Sequence, residues 1–181
     1  MKSLAIGAVG KRLEPILARL LPETVRKTSA NGDVVDLSTW DVAVEELPVV
    51  ARPGETAMLP AIMLSPLAIS VRGKKGRWHD NLMNAGKDVE EAANFRLSHL
   101  TGRQVRLRIE PDRLYLRANP NHSTLVRTRA VSGHKPAFVI GMMCPLFISG
   151  PIEDLRVAWA LGIGEKNRYG FGCIGYAGKR A

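Results

Sequence analysis

Residues 160–175 read A-L-G-I-G-E-K-N-R-Y-G-F-G-C-I-G, with five glycines and two cations, Lys166 and Arg168, between the second and the third glycine. Glycines at this density let backbone N–H groups approach an anion and take up positive φ at small steric cost. Phosphate binding is therefore the first chemistry to consider, but the nucleotide versions of such a loop do not fit. A Walker loop needs G-x-x-x-x-G-K-[ST] and a dinucleotide fold needs G-x-G-x-x-G, each between a strand and the start of a helix. Here Ile152, Leu155, Ala158 and Trp159 predict a helix from Pro151 to about Leu161 before the loop, and Y-G-F-G-C-I-G-Y predicts a strand after it. The positive end of the helix dipole thus points away from this loop.

Charge bears on the same question. The 181 residues include 26 Lys and Arg against 17 Asp and Glu, a net charge of +9. Residues 1–72 hold eight of each sign, so the whole excess falls in residues 73–181, where a polyanion such as nucleic acid would be drawn. At 45% hydrophobic the chain should fold around a core as one ordinary domain or two small ones. No long uncharged apolar run occurs, and a cytoplasmic location is expected. Cys144 and Cys173 sit apart in apolar contexts and read as buried thiols. With no C-x-x-C or H-x-x-x-H, neither a metal nor another cofactor is expected.

The elements that must carry these residues follow from periodicity. S-L-A-I-G-A-V at 3–9 reads as a strand, and Leu13, Ile16, Leu17, Leu20 and Leu21 predict a helix after it, with Arg12 and Arg19 on its opposite side. N-G-D at 31–33 marks a turn, D-V-V-D-L followed by W-D-V-A-V-E-E-L reads as one or two strands, and A-R-P-G-E-T at 51–56 is a loop. A second unit begins near M-L-S-P-L-A-I-S-V-R, with a strand at 67–72 and a helix at about 88–100. Val89, Ala92, Ala93, Leu97 and Leu100 support that helix, and Gly102 is placed to stop it. Strands are predicted at V-R-L-R-I (105–109), L-Y-L-R (114–117) and T-L-V-R-T-R (124–129), and one long buried strand at 137–150. The order is β-α-β-β-α-β with an extra hairpin at 113–129, an α+β, ferredoxin-like (RRM-like) arrangement. Residues 63–181 would form that complete domain, and residues 1–62 an abbreviated copy.

The loop together with its neighbours resembles the CRISPR-associated RAMP proteins, and among them the Cas-six endoribonucleases that cut CRISPR repeat RNA. Gly162, Gly164, Lys166, Arg168, Gly170, Phe171 and Gly172 are similar to that family's C-terminal G-x-G-x-x-x-x-x-G-F-G, and L-S-P-L-A-I-S-V-R at 64–72 resembles the strand opening its C-terminal domain. The resemblance implies metal-independent attack of a ribose 2′-hydroxyl on the adjacent phosphate to mature the precursor RNA. It also implies binding of the product hairpin and membership, with other Cas proteins, of an interference complex. R-G-K-K-G-R-W-H, the N-P-N turn and V-R-T-R further resemble the Cas-six-like proteins of type IV systems.

Family members commonly place a general base histidine near the first helix, whereas this chain has no histidine before His79. Arg12, Arg26 and Lys27 are the cations in that region that the resemblance makes candidates for orienting the hydroxyl or neutralising the phosphorane. They equally fit a solvated face. His79, within G-K-K-G-R-W-H-D, is the candidate base, or else a surface histidine capped by Asp80. Candidate RNA-binding residues are Lys74, Lys75, Arg77, Arg127 and Arg129, with Gly162, Gly164, Lys166, Arg168, Gly170 and Gly172 of the loop. Arg106 and Arg108 share a strand face. His99 should pack at a helix end, while His122 and His134 lie in turns. A catalytically inactive RNA-binding subunit, and an unrelated RNA-binding domain of the same topology, stay open as alternatives.

Overall fold

The computed structural model describes residues 26–28, 34–36, 46–127 and 138–178. Two compact units divide the chain, one of them Ile6–Glu46 and the other Met1–Ala5 with Leu47–Ala181. In the smaller, β1 (Arg26–Thr28) pairs antiparallel with β2 (Val34–Asp36), Arg26 opposite Asp36. The strand expected at 3–9 and the helix expected after it lie outside the described residues. No helix among the described residues is long and apolar enough to cross a membrane.

The larger unit is built on β3 (Thr56–Met63), α1 (Leu82–Thr101), β4 (Arg108–Pro111), β7 (Leu146–Pro151), α3 (Ile152–Leu161) and β8 (Ile174–Tyr176). Its sheet order is β4-β7-β3-β8, antiparallel throughout, which is the ferredoxin-like βαββαβ topology. Between β4 and β7 the chain inserts α2 (Arg113–Ala118), β5 (Ser123–Arg127) and β6 (Phe138–Met142), the last two paired antiparallel. Alternation sends Leu59, Ala61 and Met63 of β3 and Leu146 and Ile148 of β7 into the core. Val89, Ala93 and Leu97 of α1 and Ile152, Leu155 and Ala158 of α3 are buried there too. Each large side chain so covered contributes about 1.5–3 kcal/mol.

The first strand of this domain is β3, so the division expected at residue 62 falls inside it. Pro60 obscured that strand in the sequence. Its carbonyl accepts from the Ala177 N–H just past the end of β8 and its missing donor would face that same residue, so the proline falls where the β3–β8 ladder stops and leaves the pairing with β7 intact. The 67–72 segment is no ladder strand. It makes isolated bridges, Leu67 with Met142, Ala68 with Glu165 and Ser70 with Trp78.

Helix α1 starts six residues before the expected 88, because Leu82 and Ala85 continue its buried face and Asn81 caps it by accepting from the Met83 N–H at 2.9 Å. Gly102 ends it with φ 68°, as its position in the sequence suggests. L-Y-L-R is helical rather than a strand, since Asp112 accepts from the Leu114 and Tyr115 N–H groups and starts α2. The extra hairpin is consequently β5 with β6, not residues 113–129. The long strand expected at 137–150 is two. Met142 exchanges both backbone hydrogen bonds with Leu67, and from Leu146 the chain turns to β3 and β4 instead.

Residues 105–109 alternate as predicted, with Val105, Leu107 and Ile109 each 3% exposed, but α1 rather than a neighbouring strand satisfies much of their backbone. Ser98 Oγ accepts from the Val105 N–H (2.8 Å) and Glu90 Oε2 from the Ile109 N–H (3.1 Å). Between them the Asn94 amide accepts from the Leu107 N–H and donates to its carbonyl, both at 2.7 Å. Four residues of helix rise about 6 Å and two of strand about 6.6 Å, so side chains at 90, 94 and 98 keep step with 109, 107 and 105. Asn94→Ala leaves both polar groups of Leu107 unpaired in the core. The expected loss is about 3 kcal/mol, read as a lower urea midpoint at unchanged m-value.

Candidate nucleic-acid interface

Segment 64–72 bonds to the glycine loop at several points along its length, which makes it the scaffold on which that loop rests. The Leu64 N–H donates to the Cys173 carbonyl (2.9 Å), the Gly172 N–H to Pro66 (2.9 Å) and the Glu165 N–H to Ala68 (2.9 Å). Glu165 Oε1 in turn accepts from the Ser70 N–H at 2.9 Å and from Ser70 Oγ at 2.6 Å. The loop also closes on itself. The Ile163 N–H donates to the Gly172 carbonyl (2.9 Å), and Asn167 Nδ2 donates to the Ile163 carbonyl (3.1 Å).

Arg96 reaches from α1 to the carbonyls that end α3, Leu161 at 2.8 Å and Gly162 at 3.2 Å. A cation at a helix C-terminus is favoured by the dipole. Burial lowers the Arg96 guanidinium from its ordinary pKa, although arginine remains charged at neutral pH. Phe171 is the loop's apolar anchor. It is buried in a small cluster with Ala68 and Val139, against which Trp78 and Val126 pack.

From this scaffold residues 69–79 rise as a short ribbon. The His79 N–H donates to the Ile69 carbonyl and the Val71 N–H to Arg77, and Gly73 and Gly76 turn the tip with φ 72° and 74°. Lys74, Lys75 and Arg77 are exposed at that tip, and Lys166 and Arg168 are exposed on the glycine loop. Lys166 Nζ stands 5.8 Å from the centroid of the Trp78 ring, joining the two loops by a cation–π contact. Two further links hold the ribbon to α1. His79 Nε2 lies 2.7 Å from Asp88 Oδ2, and Arg72 pairs with Glu91 at 2.9 Å on the surface.

Several sequence expectations are located by this geometry. Lys74, Lys75, Arg77, Lys166 and Arg168 come together on two adjoining loops. Gly162, Gly164 and Gly172 are buried and Gly170 is exposed, so most of the loop's glycines serve packing. His79 is partnered by Asp88 of α1, not capped by its neighbour Asp80, and its side chain is only 15% exposed. Arg127 is exposed on β5, Arg26 and Lys27 lie on β1, and Arg12 and Arg129 fall outside the described residues, as does His134.

His122 is no exposed loop tip. It is 5% exposed, accepts from the Leu82 N–H at Nε2 (3.1 Å) and donates from Nδ1 to the Asn119 carbonyl (3.1 Å), so its ring helps cap α1. His99 does lie in the last turn of α1 but is exposed there, so it does not pack as expected. Cys144 is buried, which pushes its thiol up to about 11 and leaves it protonated at neutral pH, while Cys173 is half-buried and neither forms a disulfide. Sequence reasoning missed Ser70, Asp88 and Glu165. Glu165 carried a signal as the one acid inside a basic glycine loop, but Asp88 acts across nine residues that mark nothing.

Removing the Glu165 carboxylate tests whether the two loops form one piece. Glu165→Ala strips the acceptor from two Ser70 donors and is expected to cost about 2 kcal/mol in thermal or denaturant unfolding. Glu165→Gln keeps a carbonyl oxygen for the same donors and is expected to recover most of that.

The five cations thus stand on two loops that Glu165–Ser70 and Lys166–Trp78 contacts join. Residues 51–176 match the family described as CRISPR associated protein Cas6, C-terminal. Among solved structures, a RAMP protein binding different RNA substrates is similar, with 16% identity, a TM-score of 0.54, and coverage of 95% of this chain and 67% of that one. The product of a Cas6-related gene from Pyrococcus furiosus is also similar, with 14% identity, a TM-score of 0.50, and coverage of 96% and 66%. These likenesses concern the fold, and the chain spans about two thirds of the length of either structure. No functionally curated protein matches the sequence.

Proposed function

This chain belongs to the Cas6 family of CRISPR-associated proteins, and on that premise we propose that it binds CRISPR repeat RNA and processes it to mature guide RNA in the cytoplasm. The observation that supports the reading is the docking of the glycine loop on the basic ribbon through Glu165 and Ser70, since Lys74, Lys75 and Arg77 stand on one of these loops and Lys166 and Arg168 on the other. Such a surface follows a folded hairpin by its phosphates, while exposed aromatics are too few for an open sheet that stacks many bases.

Processing of this kind uses the nucleophile of the substrate itself. The 2′-hydroxyl attacks the adjacent phosphorus, the bond to the 5′ oxygen breaks, and a 2′,3′-cyclic phosphate and a 5′-hydroxyl are left. The protein's part is to hold the sugar in line, take the hydroxyl proton, and neutralise charge on the phosphorane and leaving oxygen. His79 is one candidate base. With Nε2–H donated to Asp88, its Nδ1 is the nitrogen left to accept a proton. Arg12, Arg26 and Lys27 are the candidates for charge neutralisation. After cutting, the protein would keep the hairpin and join other Cas proteins in an interference complex.

One observation favours a second reading, an RNA-binding subunit that does not cut. No histidine precedes His79, whose ring is mostly covered. Affinity for the repeat hairpin, compared with a shuffled hairpin at physiological salt, tests what both readings share. Preference for the repeat supports them, and equal affinity overturns both.

A further inference from the structure

Aromatic side chains make up 6% of the chain, and most of the described ones near the interface are already committed. Phe171 is buried, and the Trp78 ring is met by Lys166. Tyr169 is different. It is 76% exposed, stands next to exposed Arg168, and occupies the turn Asn167–Tyr169 at the tip of the glycine loop. Its backbone is fixed, because its N–H donates to the Lys166 carbonyl (2.8 Å) and the Gly170 N–H closes the turn onto Asn167 (2.9 Å). Phe95 is as open, at 79%, but stands on α1 and not on either of the two cationic loops.

Resting on the RNA-binding reading above, we propose that Tyr169 is a stacking platform for one unpaired nucleobase of the bound RNA, with Arg168 on the phosphate beside it. A base presents an apolar face that gains from covering an aromatic ring, and such stacking tolerates any base because each has a π-face. A ring on a closed turn loses only its own two torsions when it is covered, so little ordering opposes the stacking. A base inside a helical stem has both faces covered by its neighbours. The ligand is therefore a nucleotide flanking the stem or in its loop, which gives the protein a foothold that a fully paired duplex cannot supply.

The test is a cycle of protein and RNA changes, read by fluorescence anisotropy with the full chain. Wild type, Tyr169→Phe and Tyr169→Ala are titrated with repeat RNA carrying a single abasic site at each unpaired position in turn. Tyr169→Ala should bind unmodified RNA about tenfold more weakly, and Tyr169→Phe as well as wild type. At one position the abasic site should weaken wild type by about tenfold and leave Tyr169→Ala unaffected. If wild type binds the hairpin but Tyr169→Ala binds it equally well, or the two losses add at every position, the stacking role is overturned while the RNA-binding function stands. Failure of the wild type to bind repeat RNA overturns the function and this role with it.

Discussion

Gly172→Ala is expected to be the most damaging small substitution in the glycine loop, lowering stability by about 3–5 kcal/mol and the melting temperature by about 10 °C. A Cβ at this position would lie 1.9 Å from the Ile163 carbonyl oxygen and 2.8 Å from Asn167 Nδ2, with φ at +74°. The obstructing oxygen cannot simply move aside. It accepts the Asn167 side chain, and the Ile163 N–H is bonded to Gly172 itself, so relief must open the pair that closes the loop. Gly170 supplies the control. Its φ is +83°, but nothing lies within 4 Å of an added Cβ. Gly170→Ala should therefore cost about 1–2 kcal/mol, the left-handed penalty alone. Equal losses for the two variants in calorimetry would show that backbone conformation, not close packing, is what the motif requires at 172.

Replacing Lys74, Lys75 and Arg77 together by alanine should have the opposite profile, a large loss of RNA affinity with almost none of stability. These side chains stand at a tip turned by Gly73 and Gly76, where nothing lies within 4 Å of an added Cβ on either glycine. Exposed positions of this sort change folding by about 0.5 kcal/mol or less. Each phosphate that is no longer neutralised by a cation takes about 0.7–0.9 off the slope of log affinity against log salt, so the slope should fall by about 2 and affinity by about 100-fold at moderate salt. An unchanged slope in titrations at several salt concentrations would remove the ribbon from the interface.

Much of this surface was legible in the sequence because its signals are local. The charge excess after residue 72, the glycine spacing and the helix before it require nothing from the rest of the chain. The helical faces of α1 and α3 and the alternation of 105–109 were legible for the same reason, since burial repeats with the period of the element. What failed depended on partners. Leu114–Arg117 alternate like a strand, but Asp112 turns them into a helix by capping two N–H groups. Met142 and Leu146 sit in one apolar run, yet the first bonds Leu67 and the second pairs with Ala61. His122 looked like a loop residue among N-P-N-H-S-T until Leu82, forty positions away, supplied the donor that buries it. Asp88 and Glu165 were invisible as members of the site for the same reason, as each meets its partner only after α1 and the glycine loop have packed.

The measurement closest to the central proposal is incubation of the full chain with its neighbouring CRISPR repeat RNA in EDTA, alongside the same RNA carrying a single 2′-deoxy sugar at the cut position. Cleavage at one place in the repeat is expected, giving a 2′,3′-cyclic phosphate and a 5′-hydroxyl, with none in the 2′-deoxy RNA. Cleavage that survives the 2′-deoxy substitution would contradict the proposed nucleophile, and tight repeat binding without any cutting would contradict the enzyme in favour of a subunit that only holds the RNA.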